Sequence, residues 1–441
     1  MRRFIKIINT THSMDTTTLA LKKTIWDCIE KRKDDVVKLC SNIIKIPSDN
    51  PPGNTTQLAT YLKSYLEDQK IETNIYKPKS DNPNIVATIE GSKDSPHLIL
   101  NGHIDQFPAE VGEQWSDDPY SGQVRDGKIY GRGAGDMKGG VTSLLFSFCL
   151  VNEMCLDSLG KLTITLVSDE ETGGKWGTSW LLDNIPDLLG DACLNSEPSG
   201  LTITVGEKGS GYFRLKSIGK PAHGSFAGYA GDNAIMKMIK VLPSVEKLSN
   251  IGGRFTEETQ KLIEEGMKGF DARRARAGAS TPMSHVLKHV TVNIGVIKGG
   301  SKVNIVPGTC EADVGIRIPL GIDWKEIITH MEQELKKIEP PITYDYIKDP
   351  KMMFPANYSS TKTKIVKLLC ENAREVTGKN PLISFGSGAS DCRFFRAKNV
   401  PSAEYGPVGY NIARADEHIS VNDLIEVTKV NAGTIIDFFN Q

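Results

Sequence analysis

The chain lacks an excess of charge of either sign. Its 441 residues include 53 lysines and arginines against 54 aspartates and glutamates, which gives a formal net charge of −1. Because nucleic acids and anionic membranes attract proteins largely through positive charge, neither is expected as a partner.

The chain also lacks long hydrophobic runs. The most apolar segment, 141–151 (VTSLLFSFCLV), is too short to span a bilayer and is predicted to be a buried helix. The N-terminal sequence MRRFIKIINTTHSMD starts with basic residues, but Lys6 interrupts its apolar stretch and no small-residue cleavage site follows, so we expect no signal peptide. The eight cysteines are scattered without a CxxC pair, which is typical of a reducing compartment. We therefore expect a cytoplasmic protein.

What the chain does contain is a regular alternation of helical and strand patterns. A length of 441 residues exceeds what one hydrophobic core usually serves, so two domains are expected. Residues 56–70 have the period of an amphipathic helix, whereas 84–91, 97–105 and 161–170 have the pattern of strands. This order predicts an α/β fold with a helix-covered, mostly parallel sheet, in which ligands bind at the carboxyl ends of the strands.

From about Ser210 the pattern changes to β-α-β-β-α-β, which is typical of a compact two-layer unit. After Asp349 the first pattern resumes. We therefore predict one domain in two parts, residues 15–209 and 350–441, with a second domain inserted over 210–349. Within the insert, the charged segment 251–289 is expected to form a solvated helix and loop.

Acidic residues and histidines stand at the ends of several apolar runs. They are His103, Asp105, Asp136, Glu170, Glu171, Glu197 and His418. Side chains at strand ends lie on loops that a rigid sheet can hold in place, and carboxylates with imidazoles are the ligands of a two-metal hydrolytic site. Since the set contains no thiolate, it suits two divalent ions, with Zn²⁺ favoured and Co²⁺ or Mn²⁺ as alternatives.

A pair of ions about 3.5–4 Å apart needs a bridging carboxylate and terminal ligands on each side. Asp136 is the expected bridge. His103 and Glu197 would complete the coordination of one ion. Glu171 and His418 would complete that of the other.

Two acidic residues of this set are left for other roles. Asp105 lies two residues after His103 and is expected to orient that imidazole by accepting its second N–H. Glu170 remains as a spare carboxylate beside the ions. A carboxylate in that place is expected to act as the general base.

Seven motifs in order along the chain resemble one family of zinc enzymes. They are NGHIDQFP, YGRGAGDMKGG, SDEETGG, SEPSG, KPAHGSFA, GSGASDCRFF and DEHIS. The sequence from about residue 30 to the end resembles the family of acetylornithine deacetylase, succinyl-diaminopimelate desuccinylase, aminoacylase and glutamate carboxypeptidase. The resemblance implies Asp136 as the bridge, Glu170 as the base and the inserted domain as a dimerisation domain.

The resemblance also implies roles for residues outside the metal set. His223, in the inserted domain, would reach the partner subunit's site and help to stabilise the oxyanion. Asn304 and Arg317 resemble the contacts that the family makes with the substrate carboxylate. The loop with Gly388 and Ser390 is expected to contact the substrate as well.

Two other motifs are not assigned to the site. GRGAGD resembles part of a dinucleotide-binding loop, but Asp136 stands at the position of the third glycine, where its charge would repel a pyrophosphate. His285 and His289 have helical spacing, but the segment SHVLKH lacks the glutamate of the HExxH zinc motif.

We therefore expect a cytosolic, homodimeric zinc amidohydrolase that cleaves an N-acyl amino acid or a related amide with a carboxylate. A dipeptidase or carboxypeptidase of the same family is the alternative, because the same residues would serve it. A non-catalytic binding protein on the same fold is a second alternative, although no metal or base position is missing. The acyl group stays open, since Cys392 stands where many relatives have glycine and the segment 251–289 is longer than in compact bacterial enzymes.

Overall fold

A computed structural model of the chain describes residues 14–92, 96–110, 112–155, 159–276, 284–347, 353–386 and 388–441. The expectation that no signal peptide is present concerns residues 1–13, which lie outside this part of the chain. Within the described residues, no helix combines the length and the apolar character needed to cross a membrane.

The helices and strands follow one another in the alternating order that the sequence predicts. The helices are α1 (Met14–Lys31), α2 (Lys33–Ile44), α3 (Thr56–Asp68), α4 (Gly139–Cys155), α5 (Thr178–Asn184), α6 (Ala234–Glu246), α7 (Glu257–Arg276), α8 (Ser284–Lys288), α9 (Trp324–Leu335), α10 (Lys364–Thr377), α11 (Cys392–Ala397) and α12 (Val421–Asn440). The strands are β1 (Thr73–Tyr76), β2 (Asn84–Glu90), β3 (His97–His103), β4 (Val124–Arg125), β5 (Lys128–Tyr130), β6 (Lys161–Val167), β7 (Ala192–Asn195), β8 (Ile203–Glu207), β9 (Gly209–Ile218), β10 (Thr291–Gly299), β11 (Thr309–Ile318), β12 (Thr343–Tyr346), β13 (Asn357–Tyr358), β14 (Ile383–Gly386), β15 (Ser402–Glu404) and β16 (His418–Ser420).

These elements form two compact units. The first comprises Met1–Val205, Ser359–Ile383 and Ser390–Gln441, and the second comprises Gly206–Tyr358 and Ser384–Ala389. The first unit is therefore discontinuous in sequence.

A mixed sheet with strands in the order β1-β2-β6-β3-β7-β15-β8 forms the centre of the first unit. The pairings of β6 with β3, β3 with β7 and β7 with β15 are parallel, whereas the pairings towards both edges are antiparallel. Helix α12 packs against α1, α4 and α10. The predicted α/β fold is thus confirmed, and the carboxyl ends of the parallel strands lie at one edge of the sheet.

The apolar segment 141–151 lies in α4, which is buried over this stretch as predicted. The helix begins with Gly139 and Gly140, and a Cβ atom at Gly140 would lie only 1.9 Å from the carbonyl oxygen of Ser196. Because a contact that close is sterically forbidden, the glycine allows the helix to pack directly on the chain at the end of β7.

The second unit has the predicted order β-α-β-β-α-β, formed by β9, α6, β10, β11, α9 and β12. Its antiparallel sheet has the order β10-β11-β9-β12, and side chains of α6 and α9 share its apolar core. The charged segment 251–289 contributes α7 and α8. Residues 277–283 of that segment lie outside the described part of the chain.

The local pattern of the sequence agrees with the structure in one segment and differs in another. The spacing of apolar residues over 18–46 predicts helix, and the structure divides this segment between α1, which ends at Lys31, and α2, which begins at Lys33. The pattern over 381–406 predicts strand, loop and strand, but the structure also has the six-residue α11 there. A helix of that length is too short to show a helical period in the sequence.

Candidate metal centre

His103 is the centre of a compact group of possible metal ligands. It is the last residue of β3, and its side chain is 1% exposed. Its Nε2 atom lies 3.0 Å from Oδ1 of Asp136 and 3.5 Å from Oε1 of Glu197. Across the described residues, these three side chains form the one group of three or more whose ligand atoms all lie within 4.8 Å of one another. One imidazole and two carboxylates suit Zn²⁺.

The fold brings the three ligands together from separate segments. His103 comes from the end of β3, and Glu197 follows β7, which pairs in parallel with β3. The side chain of Asn195 accepts the backbone N–H of Glu197 at 2.7 Å and so fixes the start of this loop. Asp136 lies in a turn over Ala134–Lys138, between β5 and α4. The sheet edge that the sequence predicts as a site thus supplies two ligands, and a turn supplies the third.

Asp105 holds the loop that carries both glutamates of the Glu170–Glu171 pair. Its buried carboxylate accepts the backbone N–H of Glu170 at 3.2 Å and that of Glu171 at 3.1 Å. Asn50 donates to the same carboxylate at 2.9 Å. Nδ1 of His103 lies 2.9 Å from the main-chain oxygen of Asp105 and 3.5 Å from its carboxylate. Both the main-chain oxygen and the carboxylate of Asp105 therefore face Nδ1, and the main-chain oxygen is the closer of the two.

Glu170 lies next to an arginine that sequence analysis missed. Nη1 of Arg393, a residue of α11, donates to Oε1 of Glu170 at 3.0 Å, and Nη2 donates to the carbonyl oxygen of Gly173 at 3.1 Å. Burial raises the pKa of Glu170, whereas the charge of Arg393 opposes that rise. The only signal in the sequence was the arginine in GSGASDCRFF, which did not indicate its partner.

Glu171 is an acidic residue with a buried oxygen that faces other carboxylates. Its Oε1 atom is buried and has no hydrogen-bond partner in the described part of the chain. Burial, followed by the negative charge of Asp136, raises the pKa of Glu171 to about 11. Burial also raises the pKa of Glu197 well above its usual range. A buried cluster of carboxylates with one unpartnered oxygen fits a bound divalent cation, which would supply the missing positive charge.

His418 and Glu171, the predicted ligands of a second ion, are not members of the group of three. The imidazole of His418 lies against Tyr130 and Tyr410, with ring centroids at 4.7 and 4.8 Å. Its Nδ1 atom is 2.8 Å from the carbonyl oxygen of Asp416. A neutral imidazole that donates this N–H has its lone pair on Nε2, which is the arrangement of many metal-binding histidines.

The predicted residues of the second unit lie in its loops and sheet. His223 is exposed, and its Nδ1 atom lies 2.7 Å from Oγ of Ser225. The main chain brings its loop against that of Asn304, because the N–H of Gly224 donates to the carbonyl oxygen of Asn304 at 2.7 Å. Arg317 lies on β11 and donates to the hydroxyl of Tyr212 at 2.9 Å. The structure therefore brings the loops of His223 and Asn304 together.

The two residues of the predicted substrate loop fall in different units. Gly388 belongs to the second unit, and Ser390 belongs to the first. The buried Ser390 hydroxyl donates to Oε1 of Glu404 at 2.5 Å.

Comparisons with known proteins agree with this fold. The family model described as Peptidase family M20/M25/M40 matches residues 99–437. A succinyl-diaminopimelate desuccinylase from Sulfurovum sp. (strain NBC37-1) is 27% identical over 416 residues, which cover 92% of this chain and 100% of the relative. An N-formyl-4-amino-5-aminomethyl-2-methylpyrimidine deformylase from Halalkalibacterium halodurans is 24% identical over 427 residues, which cover 91% of this chain and 93% of the relative. The crystal structure of an M20 family metallo-carboxypeptidase from Sulfolobus solfataricus is similar in fold, with a TM-score of 0.78, 21% identity and coverage of 92% of this chain and 99% of that one.

The fold and these similarities define a metal-dependent hydrolase of amide bonds, as the sequence predicts. The family match extends over more than half of the chain. The chain belongs to Peptidase family M20/M25/M40.

The buried acids lead to a prediction for the metal-free protein. Because the pKa of Glu171 is raised from 4.5 to about 11, the folded state holds a proton that the unfolded chain releases above about pH 4.5. The raised pKa of His103 acts in the same direction, since its extra proton is also lost as the pH rises. The free energy of unfolding should therefore decrease with rising pH. We expect the Tm of chelator-treated protein to fall between about pH 5 and 8, by several degrees.

Thermal unfolding followed by circular dichroism over this range measures the effect. Saturating zinc should remove most of the dependence, because ligands give up their protons on binding. Glu171→Gln is the matched control and should make the curve of the metal-free protein less steep, because His103 and Glu197 keep their raised pKa values. A Tm that rises with pH in the metal-free protein would contradict the assignment of these raised pKa values.

Proposed function

We propose that this enzyme is a deacylase that hydrolyses the amide bond of an N-acyl amino acid or of a related amide with a carboxylate. The observation that carries the proposal is the group formed by His103, Asp136 and Glu197, with Glu170 beside it as a carboxylate outside the group. The names of two relatives, a desuccinylase and a deformylase, support acyl-group removal as the reaction. The alternative is a dipeptidase or carboxypeptidase, which the fold of the metallo-carboxypeptidase accommodates.

A zinc ion held by His103, Asp136 and Glu197 would supply a Lewis acid that polarises the amide carbonyl and lowers the pKa of a water molecule to about 7. Glu170 accepts a proton from the attacking water and delivers it to the leaving nitrogen. Arg393 favours the charged form of Glu170, which can accept that proton, because the positive charge of the guanidinium lowers the pKa of the carboxyl.

We propose two zinc ions with Asp136 as the shared ligand, and with Glu171 and His418 as terminal ligands of the second. The support for Glu171 is its buried oxygen without a partner and its closeness to the charge of Asp136. The support for His418 is its Nδ1 contact to a carbonyl oxygen, which leaves Nε2 as the lone-pair atom. The two positions can be distinguished by metal stoichiometry.

The second unit is proposed to form a homodimer and to supply substrate contacts. His223 would stabilise the oxyanion in the partner subunit's site, and Asn304 and Arg317 would bind the substrate carboxylate. The exposed ring of His223 and the contact between its loop and that of Asn304 support a common surface for His223 and Asn304. Gly388 and Ser390 are proposed to line the substrate loop.

The proposed location is the cytoplasm. The seven cysteines with described side chains are all free, which suits a reducing compartment.

The proposed reaction can be tested with the purified zinc-loaded enzyme on a matched panel of N-acetyl, N-formyl and N-succinyl amino acids, dipeptides and N-blocked dipeptides. We expect turnover of N-acyl amino acids to exceed that of dipeptides. The opposite preference would favour the dipeptidase or carboxypeptidase alternative. A wild-type enzyme that hydrolyses no amide on the panel would contradict the deacylase proposal.

Glu170→Gln should lower turnover by at least about a hundredfold while zinc content is unchanged, because the amide cannot accept the proton. Activity and elemental zinc should be measured on one preparation. Glu375→Gln is the matched control, because it makes the same exchange at a partly exposed glutamate that pairs with Lys22. This variant should leave turnover unchanged. Loss of zinc together with activity in Glu170→Gln would mean that Glu170 is a ligand.

The shared-ligand proposal predicts different stoichiometries for two variants. Asp136→Ala should lose zinc from both positions, whereas His418→Ala should lose about one equivalent, since it removes a terminal ligand of one ion. Zinc can be counted by elemental analysis after gel filtration. Two full equivalents in Asp136→Ala would be incompatible with its role as the bridge, and an unchanged content in His418→Ala would exclude that residue as a ligand.

A shared site across a dimer predicts complementation between inactive subunits. His223→Ala should retain its zinc and lose about 3–4 kcal/mol of transition-state stabilisation, which is typical of one oxyanion donor. A heterodimer of His223→Ala with Glu170→Gln would contain one site with an intact Glu170 and an intact His223 from the neighbour. Co-expression with two affinity tags gives the verified heterodimer. Its activity should reach up to half that of the wild type, whereas a heterodimer as inactive as its parents would rule out the shared site.

A further inference from the structure

Arg132 and Glu417 form a fully buried ion pair within the first unit. Nη1 of Arg132 donates to Oε2 of Glu417 at 3.0 Å, and both side chains are 1% exposed. Neither residue belongs to the set of predicted ligands. A buried ion pair is weak evidence for stability, because the cost of removing two charges from water can exceed their attraction. The other contacts of the pair therefore indicate its role.

The second carboxylate oxygen of Glu417 holds the turn that carries Asp136. Oε1 accepts the backbone N–H of Gly135 at 2.9 Å and that of Asp136 at 3.3 Å. Gly135 permits this approach, since a Cβ atom there would lie 3.1 Å from Cα of Gly409 and 3.3 Å from the same Oε1. These contacts fix the main chain at the residue whose carboxylate faces His103.

Arg132 in turn fixes the position of Glu417. Its Nη2 atom donates to Glu113 at 2.8 Å, and its Nη1 atom also donates to the carbonyl oxygen of Arg414 at 3.2 Å. The guanidinium lies over the ring of Trp115, 5.1 Å from the centroid. Because these contacts fix the planar guanidinium of Arg132, the carboxylate of Glu417 that pairs with it has little freedom to move.

The main chain of Glu417 is connected to a second predicted ligand, His418. Its carbonyl oxygen accepts the N–H of Gly131 at 2.9 Å, and the next residue, His418, pairs with Tyr130 in the small antiparallel sheet. Glu417 thus contacts the turn of Asp136 through its side chain and is joined covalently to His418.

We propose that Arg132 and Glu417 are positioning residues of the metal centre, which hold Asp136 in the place where it binds metal. This inference rests on the proposed metal centre. Neither residue touches the metal or the substrate in this proposal. The charge of Glu417 is required because one oxygen must accept two N–H groups while the other receives the guanidinium.

The test measures zinc affinity on metal-free protein by competition with a chromogenic chelator. Glu417→Ala and Arg132→Met should each weaken zinc binding by about 10–100-fold, the usual effect of losing a partner that orients a metal ligand. Glu417→Gln keeps a single acceptor oxygen and should show an intermediate loss. If Glu417→Ala does not fold, Glu417→Gln and Arg132→Lys provide the comparison.

Lys22→Met is the matched control for loss of stability alone. Lys22 forms another buried ion pair, with Asp437 at 2.7 Å, between α1 and α12. This variant should lower the Tm but bind zinc within about twofold of the wild type. The inference would be overturned if the Arg132 and Glu417 variants also bound zinc within about twofold of the wild type, or if Lys22→Met lost as much affinity as they did.

Hydrogen exchange of the peptide around residues 131–138 provides a second measurement that needs neither metal nor substrate. In the metal-free protein, the amides of Gly135 and Asp136 should exchange faster in Glu417→Ala and Arg132→Met than in the wild type and in Lys22→Met. If the wild type bound no zinc, the proposed metal centre would fail, and this exchange experiment would still decide whether the pair holds the turn. Unchanged exchange would overturn the positioning role.

Discussion

The burial of several carboxylates at one place is the constraint on which the rest of the site depends. Burial raises the pKa values of Glu170, Glu171 and Glu197, and the negative charge of Asp136 adds to the rise in each of them. His103 and Arg393 are the nearby groups that oppose it. A site of this kind favours the binding of a cation, because the bound ion reduces the repulsion between the buried carboxylates.

The scaffold holds this unfavourable arrangement by fixing main chain rather than side chains alone. Parallel strands β3 and β7 end side by side, and Gly140 allows α4 to pack against Ser196, next to Glu197. Asp105 accepts two backbone N–H groups of the Glu170 turn. Each acidic loop is therefore held by a hydrogen bond or a close contact that does not depend on the charge of its own side chain.

The sequence predicted the fold and indicated where the acidic residues would meet, because strand periodicity and strand ends are local features. His103 and Glu197 could be placed at one sheet edge in this way. Arg393 could not be paired with Glu170, since the two are more than two hundred residues apart and the short α11 gives no periodic signal. The carboxylate of Asp105 lies 3.5 Å from Nδ1 of His103, as expected of a residue two positions further along the chain. Its hydrogen bonds to the backbone of Glu170 and Glu171 could not be predicted, because those residues are far away in the sequence.

Three buried charged residues around the site contact the main chain of the turns that carry its acidic residues. Asp105 and Glu417 each accept two backbone N–H groups from a turn with acidic residues, and Arg393 donates to both a carboxylate and a carbonyl oxygen. Isolated buried charges would cost stability, and even paired ones need not repay it. Their common effect is to limit the positions that Asp136, Glu170 and Glu171 can adopt. We therefore interpret the main role of these three charged residues as holding the acidic side chains in position. A displacement of about 1 Å in such a site can lower the rate about a hundredfold.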